Sequence, residues 1–208
     1  MRGDLRRASG NTGAGAVTTF IKMFAAALAG ACIGLITVDL TIGRDAGFGS
    51  AVAGPWTAWL KRGALDPDPY TRAAVARFGE IPLGPSEGLS FVAGVDSGGA
   101  KLDSACDYRI SGKPLTARFW TLSLLNDAGA PSSAPDARAV FSSQEVLRGE
   151  DGAFEIVASA RARPGNWLNA EGAGHFLLML NLYDTSIGAT ATAVAAAGLP
   201  RIEKGACR

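Results

Sequence analysis

The chain has 208 residues, of which 48% are hydrophobic and 19% charged, and 20 Lys and Arg residues nearly balance 19 Asp and Glu residues. A net charge of +1 gives neither the basic excess expected of a nucleic-acid binder nor an acidic tail. With one histidine, three cysteines and no dense Asp/Glu spacing, the sequence leaves too few ligands for a metal site, and no cofactor is expected.

The longest apolar run, residues 23–38, contains no charged side chain and lies between Lys22 and Asp39. Extended to residues 20–42, the run would span roughly the 30 Å hydrocarbon core of a bilayer as a helix. We therefore predict a transmembrane helix over residues 20–42, preceded by a polar segment over residues 1–19. About 166 residues follow it, which is enough for one domain with a core of its own.

The positive charges before the run are Arg2, Arg6, Arg7 and Lys22. This bias places the N-terminus in the cytoplasm and the following domain outside, which in a bacterium is the periplasmic side of the inner membrane. A cleaved signal peptide has a similar charged start, and the segment ending at Cys32 weakly resembles a lipoprotein processing site. An uncleaved anchor is the favoured interpretation, with both alternatives open.

Small residues repeat every four positions within the run, at Ala26, Gly30 and Gly34. On a helix they form one stripe, and such stripes let two membrane helices approach closely. A homodimer through this stripe is one prediction. The alternative is that the small residues pair with nothing, since they are common in membrane helices.

Residues 43–79 are predicted to connect the membrane helix to the domain through short helices. In residues 46–63 the spacing of Val52, Trp56 and Trp59 predicts an amphipathic helix with both indoles in the outer headgroups. The alternative is that both indoles pack on the domain.

A second connecting helix is predicted from its start signal. Asp68 suits the N-cap, Pro69 suits the first helical position, and the helix is expected to continue over residues 70–78 and to end at Gly79.

The segment GPSEG at residues 84–88 matches the G-x-S-x-G pattern of a hydrolase nucleophile elbow, with His175 downstream of Ser86. An elbow requires a strand before the serine and a helix after it. Here Pro82 and Pro85 precede the serine and β-rich sequence follows it, so the hydrolase interpretation is disfavoured.

Residues 80–208 are predicted to form a mainly β domain, a jelly-roll-like β-sandwich, because short apolar runs alternate with turns rich in Gly, Asn and Pro. Alternation is clearest at Trp120, Leu122 and Leu124, which share one face of a strand. A short helix is expected over residues 190–197, and residues 201–208 form a closing arm. The predicted strands are residues 89–95, 105–111, 116–124, 137–141, 154–160 and 175–183.

An exported domain lies in an oxidising compartment, where two free thiols would be unusual. With Cys32 in the membrane run, we predict a disulfide between Cys106 and Cys207.

The loop over residues 161–174 carries Asn166 and Trp167, and His175 begins the most apolar strand. An exposed Trp beside an amide on the rim of a β-sandwich is suited to binding sugar or peptide, and these three residues are the candidate binding residues. The alternative is structural: Trp167 caps the core and His175 ends a strand.

Several motifs in fixed order resemble the domain of unknown function 1214 family, over about residues 55–208. The DPDPYTRA segment at residues 66–73 and the Cys-Asp-Tyr triplet at residues 106–108 resemble the short, membrane-anchored proteobacterial branch of that family. Asn169 and Asn181 depart from the family pattern, which commonly has Pro and Arg there. The motifs are FWTLSL at 119–124, Asn126, Asp127, Gly129, Asp151, Gly152, PGNWL at 164–168 and Leu182-Tyr183-Asp184.

The resemblance implies a jelly-roll-like sandwich and no particular reaction. In longer relatives a domain of the 1254 unknown-function family precedes this one, so a separately encoded protein of that family is a plausible partner. We expect a non-enzymatic envelope protein that binds or assembles with another envelope component. The alternative is a carbohydrate- or peptide-handling module, possibly a hydrolase, at Asn166, Trp167 and His175.

Overall fold

The structure is a computed structural model that describes residues 12–41, 49–78, 81–127, 129–131, 138–187 and 190–208. The chain forms two compact units, Met1–Ala46 and Gly47–Arg208. Each unit is described by itself. Most of the predicted cytoplasmic segment, including Arg2, Arg6 and Arg7, lies outside the described residues, as does the predicted helix end at Gly79.

The first unit contains helix α1, Thr12–Thr41. Within it, Gly15–Leu40 is long and apolar enough to cross a membrane, a property that an anchor shares with a signal sequence. Its described side chains are all exposed. The hydroxyl groups of Thr18 and Thr19 both donate hydrogen bonds to the Gly15 carbonyl oxygen, so these polar groups are satisfied within the helix.

The described residues of the second unit are mainly β and form two sheets and two short helices. The six-stranded sheet has the order β1-β2-β3-β9-β5-β6, and the four-stranded sheet has the order β10-β4-β7-β8. All neighbouring strands are antiparallel except β7 and β8, which are parallel. The elements are β1 Ser50–Ala53, β2 Trp56–Trp59, α2 Pro69–Phe78, β3 Gly88–Ala93, β4 Cys106–Gly112, β5 Ala117–Asn126, β6 Val140–Ser142, β7 Phe154–Ser159, β8 Asn166–Asn169, β9 Phe176–Thr185, α3 Ala191–Ala195 and β10 Arg201–Cys207.

One hydrophobic core lies between the two sheets. The six-stranded sheet contributes Trp120 and Leu180, and the four-stranded sheet contributes Tyr108 and Ile156, all at most 2% exposed. Alternate residues of β5 and β9 enter this core, as the period of two requires. The predicted fold class, a mainly β sandwich, is confirmed.

The predicted amphipathic helix over residues 46–63 is wrong, because this segment contains the β1–β2 hairpin. Gly54 has a φ of 60° at the first position of a two-residue turn, where a type II′ hairpin needs glycine. Trp56 then points into the core with an exposure of 0%, so the alternative of packing on the domain is correct for this indole.

Helix α2 begins as predicted. The Asp68 carboxylate accepts hydrogen bonds from the backbone N–H groups of Tyr70 and Thr71 at 3.1 and 3.0 Å, and from the Thr71 hydroxyl at 2.7 Å. These hydrogen bonds, led by that from the Thr71 backbone, lower the pKa of the Asp68 carboxyl.

Besides β1 and β2, two further strands lie where no strand was predicted. Strand β8 lies within the predicted connection over residues 161–174, and β10 lies in the predicted closing arm. Each is an edge strand of the four-stranded sheet. The six predicted strands are all present, with shifts of up to three residues at their ends.

Candidate functional site

The Asn166 side chain forms hydrogen bonds that hold the loop before β7 in place. It is 7% exposed, and its Oδ1 accepts a hydrogen bond from the Leu147 N–H at 2.8 Å. Its Nδ2 donates to the Leu147 carbonyl oxygen at 2.9 Å and to the Glu155 carbonyl oxygen at 2.8 Å. The amide thus bridges the loop before β7 to β7 itself, and both of its N–H donors are engaged.

Trp167 is the next residue of β8 and faces away from the core. Its indole is half-buried, and Nε1 donates to the Ser159 carbonyl oxygen at 2.9 Å. Its register partner on β7 is Val157. The rest of the indole therefore lies on the outer face of the four-stranded sheet.

His175 lies at the entrance to β9 and contacts a different part of the chain. It is exposed, and its Nδ1 lies 3.5 Å from Asp103 Oδ2 and 3.4 Å from the Leu102 carbonyl oxygen. Asp103 also accepts a hydrogen bond from the Ala105 N–H at 2.8 Å. Asn166, Trp167 and His175 each have polar partners of their own, and none of these contacts joins His175 to the other two.

The GPSEG segment is a turn. Glu87 N–H and Gly88 N–H both donate to the Gly84 carbonyl oxygen, at 2.8 and 3.2 Å, and Glu87 Oε2 accepts from the Gly84 N–H at 2.9 Å. Strand β3 follows at once, where an elbow would have a helix. Ser86 is exposed at the tip of this turn.

The disulfide predicted between Cys106 and Cys207 is present and joins facing residues of β4 and β10. Beside it lies Asp107, whose Oδ1 accepts a hydrogen bond from the Ser159 hydroxyl at 2.6 Å and whose Oδ2 pairs with Arg163. Partial burial raises the pKa of the Asp107 carboxyl. The hydrogen bonds from Ser159 and Arg163 and the charges of Arg163 and Arg208 outweigh that effect, so the net pKa lies below its usual value.

Metal ligands do not cluster in the described part of the chain: no three His, Cys, Asp or Glu residues there are grouped so that they could hold an ion. The remaining thiol, Cys32, lies in α1.

The outer face of the four-stranded sheet is rich in charge. Arg109 and Glu155 form an exposed ion pair at 3.3 Å, and Glu203 is the register partner of Arg109. We refer to this surface as the charged face. It comprises Asp107, Arg109, Glu155, Val157, Trp167, Arg201 and Glu203.

The outer face of the six-stranded sheet has no charged residue in its three central rows. One row crosses all six strands, from β1 to β6, and consists of Val52, Thr57, Val92, Met179, Ser123 and Val140. The next row consists of Ser90, Asn181, Thr121 and Ser142. In the third row, the rings of Phe119 and Tyr183 are 5.6 Å apart. We refer to these twelve residues as the neutral face.

The neutral face is only partly shielded from solvent. Val52 and Val140, at its two ends, are 58% and 46% exposed. The ten residues between them are half-buried. An uncharged surface of this width is suited to contact with another macromolecule, because no charged group has to lose its hydration.

Sequence reasoning did not identify the neutral face. Its residues come from six strands, and only the register brings them into rows. A signal was present in β5, where Phe119, Thr121 and Ser123 alternate with core residues without a single charge. The solvent-facing positions of an antiparallel strand are usually polar, and Phe119 departs from that pattern.

Fold and surface together define a two-sheet β-sandwich domain preceded by an apolar N-terminal helix. Residues 87–187 match the family described as Protein of unknown function (DUF1214), so the predicted resemblance is confirmed over this range. The match includes ten residues of the neutral face and excludes Val52 and Thr57. No curated protein matches the chain.

Two crystal structures are similar to this chain. A protein from Vibrio parahaemolyticus is 19% identical, with a TM-score of 0.54, and the match covers 70% of this chain and 39% of that chain. An uncharacterised protein from Burkholderia cenocepacia is 20% identical, with a TM-score of 0.42, and the match covers 69% and 45%. The chain thus spans less than half of either protein. The likeness to the Vibrio protein concerns the fold alone.

Proposed function

We propose that this protein is a non-enzymatic, membrane-anchored component of the bacterial cell envelope that binds another envelope component through the neutral face. The observation that carries the proposal is the contrast between the two sheets. One presents five charged residues to solvent, and the other presents twelve residues without a charge. Depletion of charged residues, together with the presence of aromatic residues and Met, is typical of the core of a protein–protein interface, and the neutral face has both properties.

The proposed location has two supports. Gly15–Leu40 is long and apolar enough for a single-pass anchor, and the positive charges before it favour a cytoplasmic N-terminus. The disulfide between Cys106 and Cys207 suits the oxidising periplasm. The domain would then be held near the outer surface of the inner membrane.

A separately encoded protein of the 1254 unknown-function family is one proposed partner. The matched fold makes up 39% of the Vibrio protein, so in that protein the fold is joined to further chain. A second chain could supply a corresponding surface here.

The carbohydrate- or peptide-handling alternative receives less support from the geometry. Both N–H donors of Asn166 are engaged within the domain, and the polar partners of His175 differ from those of Trp167. A ligand bound at Trp167 would therefore contact the indole and the neighbouring charged side chains, and it would receive no hydrogen bond from the Asn166 amide.

Cysteine labelling in intact envelopes tests the binding role. Val140→Cys places a thiol on the neutral face, and Leu147→Cys, at a position 66% exposed, is the control outside it. Both variants are made with Cys32→Ala and treated with a membrane-impermeant maleimide in spheroplasts and after unfolding of the purified chain in denaturant without reductant. We expect Val140→Cys to be protected in spheroplasts only and Leu147→Cys to be labelled in both. Equal labelling of both in spheroplasts would overturn the binding role, and no labelling of either would overturn the periplasmic location.

A further inference from the structure

We infer that the neutral face binds a second copy of this chain, so that two six-stranded sheets pack face to face. This inference rests on the proposed binding role of the face and names its occupant. Three properties of the surface support it: its charge, its extent and its place in a chain confined to a membrane.

The charge pattern fits a surface that meets itself. Across a two-fold axis, residues near the axis face their own copies. Any charge there would lie against a like charge, which opposes association. Met179 and Ser123, at the centre of the face, are neutral, and so are all of their register neighbours in the row from Val52 to Val140.

The charged face provides the contrast. Arg109 and Glu155 are paired within one copy, and Glu203 and Arg201 add two more charges to the same outer surface. Self-association through this sheet would bring several charges out of water. The two sheets are therefore unequal as self-binding surfaces, and the six-stranded one is favoured.

The extent of the neutral face is that of a small interface. Its twelve side chains, each occupying about 4.8 Å across the strands and about 6.8 Å along them, cover on the order of 400 Å² in projection. The side chains expose more area than this projection, and a standard interface buries about 800 Å² of accessible surface on each partner. Face-to-face packing of two such sheets is also a common arrangement, with the strands about 30° apart.

Confinement to one membrane favours the same pairing. Two anchored copies diffuse in two dimensions with their domains on the same side, which raises their effective concentration relative to free domains. A modest affinity between neutral faces is then sufficient for association.

Sedimentation of the full chain in density-matched detergent micelles tests the inference. We expect the wild-type chain to be a dimer at micromolar concentration. Ser123→Lys should weaken association by about tenfold or more, because two lysines approach each other across the axis. Val157→Lys, at the centre of the charged face, should leave association unchanged. Circular dichroism and thermal unfolding confirm that both variants fold; Thr121→Lys replaces Ser123→Lys if the latter does not.

Cross-linking in the membrane provides an independent measurement. Met179→Cys in the Cys32→Ala background should form a disulfide-linked dimer under mild oxidation, and Val157→Cys should not. Equal cross-linking of the two, a monomeric wild type, or a dimer unaffected by lysine on the neutral face would each overturn the inference. If Gly30→Ile with Gly34→Ile abolishes a dimer that Ser123→Lys leaves intact, α1 alone holds the two copies together and the inference is wrong.

The two proposals fail in different ways. A purified monomer whose Val140→Cys thiol is nevertheless protected in spheroplasts overturns the second copy as occupant and leaves the binding role in place. The occupant is then a different envelope protein. A Val140→Cys thiol that is labelled in spheroplasts overturns the binding role itself.

Discussion

The indole Nε1 of Trp56 donates a hydrogen bond to the Pro200 carbonyl oxygen at 2.7 Å, across 144 positions of sequence. Trp56 belongs to β2 of the six-stranded sheet, and Pro200 directly precedes β10 of the four-stranded sheet. Both residues are buried. The bond therefore joins the two sheets at the side where β10 begins.

Trp56→Phe should destabilise the domain by about 1–3 kcal/mol, because the buried Pro200 carbonyl loses its donor and the smaller ring leaves a void. The free energy of unfolding is measured by urea titration. Trp59→Phe is the matched control, since it makes the same change in the same strand at a half-buried position. Equal losses in the two variants would show that the bond to Pro200 contributes nothing of its own.

Removing the disulfide should destabilise the domain by about 2–4 kcal/mol, because the bond closes a loop of 101 positions in the unfolded chain. The variant is Cys106→Ala with Cys207→Ala, measured by thermal and chemical unfolding beside Cys32→Ala. Thiol counting in denaturant should give one thiol without reductant and three with it. Three thiols without reductant would contradict the disulfide.

Asn166→Asp should destabilise the domain by at least about 2 kcal/mol. The substitution keeps the shape and removes both N–H donors, so the carbonyl oxygens of Leu147 and Glu155 face a carboxylate. Asn169→Asp is the control: that residue is also buried, and its Oδ1 accepts a hydrogen bond from the Glu171 N–H, which a carboxylate preserves. Unfolding at pH 7 compares the two variants. A larger loss for Asn169→Asp would contradict the bridging role.

The lowered pKa of Asp107 predicts an acid-sensitive contribution to stability. A carboxyl whose pKa is lower in the folded than in the unfolded chain stabilises the fold above the unfolded pKa, about 3.9. This stabilisation is lost as the pH falls through the folded pKa. The difference in unfolding free energy between wild type and Asp107→Asn should thus be largest above pH 5 and shrink towards pH 2. Glu203→Gln, an exposed carboxyl on β10, controls for loss of charge; a constant difference for Asp107→Asn would refute the linkage.

The sequence predicted the long strands well and the short ones poorly. Strand β5 has ten residues with Trp120, Leu122 and Leu124 on one face, and so regular a pattern fits only a half-buried strand. Strands β1 and β2 have four residues each, which is about one helical turn. Val52, Trp56 and Trp59 then fit a helical spacing as well as an alternating one.

The edge strands were missed for a different reason. In β10 only Ile202 is buried, so the strand shows no apolar alternation, and its pairing with β4 is decided by tertiary contacts.

The structural role of Asn166 could not be predicted from the sequence either. Its three hydrogen-bond partners are backbone groups, two of Leu147 at 19 positions and one of Glu155 at 11 positions along the chain. Backbone groups are present at every residue, so no sequence motif marks the residues that pair with the amide.

The position of β9 between β3 and β5 bears on how the chain folds as it is made. Strands β3 and β5 are synthesised first, and each lacks the partner on one of its edges until Phe176–Thr185 has been added. A chain that begins to fold during synthesis therefore carries two unpaired strand edges for about 50 residues after β5. These edges are open to pairing with other chains during that interval. Folding of the six-stranded sheet only once β9 is available avoids that exposure.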